Sequence, residues 1–118
     1  MKTPGPDHPI TIAPHPGRVV VRFAGKVVAD TTAALDLREA SYPAVLYLPR
    51  GDADLAAFGR TTRSTHCPYK GDASYFNLSA DGGDAENAVW SYEQPYPAVA
   101  SIAGHLAFYP EKVTISEA

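Results

Sequence analysis

The chain has 118 residues, 45% of them hydrophobic and 19% charged, with a net charge of -3 and one cysteine. This length suits one domain that buries a core without metal or disulfide staples. The acidic balance gives no global field for a nucleic-acid backbone or an anionic membrane, and the lone cysteine excludes an intrachain disulfide and zinc sites built from cysteine pairs. A free thiol fits a reducing compartment, and no apolar stretch could span a bilayer. A cytoplasmic protein is therefore expected, with a small molecule as partner rather than nucleic acid or membrane, and with homo-oligomerisation left open.

Residues 1–16 carry Pro4, Pro6, Pro9, Pro14 and Pro16 and read as a proline-rich arm laid over the surface, with His8 and His15 in solvent. Residues 17–118 read as one mainly-β domain. Arg18–Phe23 and Lys26–Ala29 flank Ala24-Gly25 as a hairpin does. In Thr32–Glu39, a cap at Thr31 would suit a helix, yet Leu35 and Leu37 alternate with Asp36 and Arg38, which favours a strand. Val45–Leu48 is a short strand between prolines. Asp52 and Asp54 ahead of Leu55–Phe58 predict one or two helical turns. Ser74–Leu78 and Asn87–Tyr92 are strands around an Asp81–Asp84 turn. Pro95–Gly104 predicts a second short helix, and two further strands follow at His105–Tyr109 and Lys112–Ser116. Many short strands with tight turns imply bent antiparallel sheets.

The densest chemistry is Thr65-His66-Cys67-Pro68-Tyr69-Lys70-Gly71, read as a polar loop on a sheet scaffold. A cysteine nucleophile needs a base near its sulfur, and His66 adjoins Cys67. On a strand the two would point apart, so a dyad requires the chain to turn between them. The structural alternative is a half-buried thiol acting as a small hydrophobe. Lys70 and Arg63 suit an anionic group, and Gly71 admits a ligand close to the backbone. Trp90 and Tyr92 share a strand face and, with Tyr75, offer either a core wall or an aromatic floor for a planar ligand. Asp30 and Glu39 end predicted strands and are candidate proton-handling carboxylates, or partners of Arg22, Arg38 or Arg50. His66, Cys67 and His105 have no spacing that makes a metal site, so neither metal nor cofactor is expected.

The signature Thr65–Gly71, followed by Ala73 and Tyr75, resembles that of a small bacterial and fungal family, domain-of-unknown-function family 427, sometimes called nucleotidyltransferase-like. Val28-Ala29-Asp30-Thr31, Tyr47-Leu48-Pro49-Arg50, Glu86-Asn87-Ala88, Trp90-Ser91-Tyr92 and Ile102-Ala103-Gly104-His105 extend the resemblance over residues 17–116. It implies a β-tent arrangement of bent sheets, similar to Mss4-like proteins, but no reaction. No paired-carboxylate motif accompanies the nucleotidyltransferase-like label, and one cysteine cannot carry over the structural zinc of relatives of that architecture.

Three readings follow, with catalysis left open. The leading one is a pocket beside the Thr65–Gly71 loop for a small anionic or planar ligand, contacted by Thr65, Tyr69, Lys70, Arg63, Tyr75, Trp90, Tyr92 and His105. The second is a thiol enzyme with Cys67 as nucleophile or redox centre, served by His66 or His105. The third is a non-catalytic interaction module pairing through a sheet edge.

Overall fold

The computed structural model describes residues 1–118 and is built from ten strands in three antiparallel sheets. The first sheet has the order β1-β4-β5: β1 (Ile10–Pro14), β4 (Leu35–Glu39) and β5 (Val45–Tyr47). The second has the order β10-β2-β3: β2 (Val19–Phe23), β3 (Lys26–Thr31) and β10 (Thr114–Glu117). The third runs β6-β7-β8-β9: β6 (Phe58–Cys67), β7 (Gly71–Ala80), β8 (Gly83–Ser91) and β9 (Ala107–Phe108). A single bridge between Leu48 and Leu106 ties the first sheet to the third.

Local sequence explains most of these elements. In the β2–β3 hairpin, Ala24 and Gly25 both take positive φ (50° and 78°), the twist that matches two right-handed strands. Val19, Val21 and Val28 enter the core while Arg22 and Lys26 face water. Register shifts interrupt β6–β7 between Arg60 and Ser64 and β7–β8 between Phe76 and Leu78, and such breaks bend strands. Within Thr32–Glu39, Leu35–Glu39 forms strand β4, as period two requires.

The short helices are 3-10 turns, Arg50–Asp52, Leu55–Ala57 and Pro97–Ile102, and Asp54 caps the second by accepting from the Ala56 N–H. Two expectations need correction. The proline-rich segment enters a ladder: β1 pairs with β4, where an edge strand tolerates Pro14 at its end. The histidines of that segment are half-buried rather than solvated. His8 bonds Glu39 at 2.7 Å, and His15 lies between Asp36 and Glu117 at 3.0 Å from each.

Two buried clusters form the core. One gathers Val19, Val21, Val28, Leu48, Phe76, Leu78, Val89, Leu106 and Phe108. The other gathers Leu37, Tyr47, Ala73, Tyr75, Tyr92, Val99, Ile102 and Ala107, with Cys67 and Trp90 against it. The second cluster is rich in phenols, and a cavity opens beside it.

Candidate functional site

The Thr65–Gly71 signature is the tip of the β6–β7 hairpin rather than a free loop. β6 stays extended through Cys67, and β7 begins at Gly71. Gly71 has φ +108°, a conformation that strains any side chain, so it makes the tight return into β7. The Tyr96 N–H donates to the Lys70 carbonyl at 3.0 Å, fixing the turn against the following chain. Lys70 is thereby aimed inward and is only 8% exposed. Its ammonium donates to the Glu39 carboxylate, which also binds His8. His8 in turn stacks on Tyr69 with ring centroids 3.9 Å apart.

The Lys70–Glu39 pair lies in the wall of a cavity of about 360 Å3. Leu37 and Glu39 enter it from β4, Val45 and Tyr47 from β5, Tyr75 from β7 and Trp90 from β8, with Tyr42, Pro43, Tyr92 and Tyr109 completing the wall. Trp90 donates its indole N–H to the Tyr47 hydroxyl at 3.3 Å and lies 4.6 Å from the Tyr109 ring. The Thr65 and Tyr75 hydroxyls are 2.9 Å apart, and the Arg63 guanidinium lies 4.9 Å over the Tyr75 ring. Tyr92 has its phenol free of side-chain hydrogen bonds, while no fully buried side-chain polar atom lacks a partner, so its hydroxyl opens to the cavity.

The chain's remaining candidates lie elsewhere. On β6, alternation sends His66 outward to Asp72 at 2.7 Å and Cys67 inward to the second core cluster. The turn needed for a His66–Cys67 dyad is absent. Asp30 is on the exposed face of the second sheet, ion-paired with Arg18 rather than Arg22. His105 bonds the Ala103 carbonyl at 3.2 Å, outside the cavity. Tyr69 is taken up by its stack with His8. No group of three or more His, Cys, Asp or Glu side chains is arranged to hold a metal ion.

A family model for a domain of unknown function, DUF427 (NTP_transf_9), matches residues 11–118. The chain belongs to this family. No curated protein matches it.

In this DUF427 chain the cavity groups hold defined protonation states. Burial pushes the Tyr47 phenol up to about 12 against the pull of the Trp90 N–H. Burial and the neighbouring Tyr47, Cys67, Tyr75 and Glu39 push Tyr92 far above its ordinary value. Tyr109 rises to about 12 through burial and its contact with Tyr75. At Tyr75 burial acts the same way, but hydrogen bonds with Thr65 and Tyr109 and the Arg63 cation outweigh it and lower the value. At neutral pH, Tyr47, Tyr92 and Tyr109 therefore keep their protons, and Tyr109 gives its O–H to Tyr75 while Tyr47 and Tyr92 remain donors.

Glu39 is partly desolvated, which favours its neutral form, yet the bonds from Lys70 and His8 prevail and hold its carboxyl below the ordinary 4.5. A depressed folded-state value contributes stability that is complete above the unfolded value and is lost as pH falls through the folded one. Wild-type stability is thus expected to decline on acidification below the ordinary 4.5, and Glu39→Gln to decline less steeply. Urea midpoints measured across that range check this. Parallel slopes for the two proteins would show that Glu39 gains nothing from folding.

Tyr42, Tyr47, Tyr109 and Leu37 line the cavity without having been singled out. The available signal was composition, since five of the seven tyrosines converge here. Tyr47 ends β5 and Tyr109 directly follows β9, each just ahead of a proline-containing turn.

Proposed function

We propose that this DUF427 chain binds a small planar molecule, neutral or anionic and rich in hydrogen-bond acceptors, in the aromatic cavity. The observation that carries the reading is the convergence of five phenols and the single tryptophan on one space, with Lys70 in its wall. The volume falls in the range of small-molecule sites. Aromatic faces alone would also suit a cation. Here Lys70 already neutralises Glu39, and Arg63 covers Tyr75, so a bound cation would face like charge. The donors Tyr47 and Tyr92 instead favour carbonyl or carboxylate oxygens. The lone thiol fits a reducing, cytoplasmic setting for this binding.

The other readings draw less support. A thiol enzyme wants a base beside Cys67, and His66 is held by Asp72 on the opposite face. An interaction module wants a broad apolar surface, whereas only four large apolar residues are exposed, Met1, Val27, Tyr42 and Leu55.

Trp90 is the only tryptophan and reports directly on the cavity. Acetophenone and benzoate are expected to change its fluorescence saturably, and benzyltrimethylammonium to leave it unchanged. Tyr92→Phe keeps the ring and removes the free hydroxyl, so it should weaken acetophenone binding by about threefold to tenfold. A response to the ammonium compound alone, or to none of the three, would overturn the reading.

A further inference from the structure

A second cavity, of about 700 Å3, is not used by the binding proposed above. Asp36 and Arg38 of β4 line it, as do Leu46 of β5 and the following Leu48. The aromatic cavity takes the residues between them, Leu37 and Glu39 of β4 with Tyr47 of β5. Successive side chains of a strand point to opposite faces, so the β1-β4-β5 sheet is a partition with a cavity on each side. Tyr42, Pro43, Val45 and Trp90 border both spaces. They gather at the free edge of β5, which has no ladder with β9 before the Leu48–Leu106 bridge. The two cavities thus share a rim at that edge, and Trp90 belongs to the wall of both.

The far cavity has a distinct chemistry. Asp36 and Glu117 are both engaged by His15 at 3.0 Å, while Arg38 is exposed and has no carboxylate within ion-pair distance. Leu46, Leu48, Phe108 and Ile115 give this cavity an apolar lining beside its charged groups. An apolar chamber bearing a free guanidinium matches an alkyl chain that ends in a carboxylate.

We infer that the ligand is an aryl-headed alkanoate spanning both cavities: its ring lies among Tyr75, Trp90 and Tyr92, its chain passes the β5 edge, and its carboxylate meets Arg38. This rests on the binding reading above and names the class of molecule that satisfies both chambers. A ring alone would leave the second space and its guanidinium unused.

The test uses the full chain, with acetophenone as the head alone and ω-benzoylalkanoates of increasing length as the extended series. Affinities come from Trp90 fluorescence and calorimetry. The longer members should bind more tightly than acetophenone. Arg38→Ala should weaken them by about tenfold and leave acetophenone unchanged, and their methyl esters should lose a similar factor against the wild type. Arg38→Lys, which keeps the charge, should retain part of the gain. Because Arg38 is exposed, an unchanged Tm should confirm that the variants fold. Affinity independent of chain length, or a gain that survives Arg38→Ala, would overturn the inference while acetophenone binding left the planar-head reading intact. Failure of acetophenone and of every extended member would remove both.

Discussion

Replacing Lys70 by methionine is expected to destabilise the fold by about 2–4 kcal/mol, more than an ion pair on an open surface would cost. Lys70 is 8% exposed and the Glu39 side chain 16%, so neither charge has much water to fall back on. Methionine fills similar space but leaves the carboxylate with His8 alone. Truncating one member of a buried pair strands the other, which is why the loss exceeds the net worth of the pair. The double variant Glu39→Leu with Lys70→Met should recover most of the stability, because two apolar chains then meet in the wall. Urea unfolding of the four proteins as a mutant cycle measures the coupling. A loss for Lys70→Met below about 1 kcal/mol would class the pair with surface bridges and contradict the burial argument.

Leu78→Ala should cost about 3 kcal/mol, a fall in Tm of roughly 10 °C for a chain of this size. Leu78 is fully buried, at the middle of the first cluster, and its strand neighbours are Phe58 on β6 and Ala85 on β8. Alanine removes its branched end, and the sheet on either side prevents the gap from closing. Calorimetric melting checks the value. A shift of only a few degrees would mean that the surrounding strands collapse onto the smaller residue. The aromatic cavity belongs to the other cluster, so acetophenone affinity should change little in this variant.

Period two and turn chemistry made the β2–β3 hairpin, β4, β5 and the β7–β8 hairpin readable from sequence, since one face of each meets a core. β1 and the end of β6 were not. β6 is an edge strand whose polar side chains Arg60, Thr62, Arg63, Ser64 and His66 face water, so apolar alternation never shows in Thr65–Cys67. β1 was hidden by its prolines, which an edge position with one paired side accommodates. Of the residues named from sequence, Glu39, Lys70, Tyr75, Trp90 and Tyr92 meet in one cavity. Arg63 and Thr65 stand against Tyr75 from outside it. Tyr47 and Tyr109 carry no mark of this in sequence, because convergence between the first and third sheets has no local signature. The His8 bond to Glu39 joins residues 31 positions apart and is just as silent.

The alternation along β4 has a consequence for how this chain tolerates insertions. Leu37 and Glu39 look one way and Asp36 and Arg38 the other, so a residue inserted between Leu35 and Asp36 without a bulge would exchange the chemistry of the two compartments. Glu39 would leave Lys70 and join Glu117, and Arg38 would turn toward an ammonium. The spacing within β4 is thus under tighter constraint than the length of the connection that leads into it.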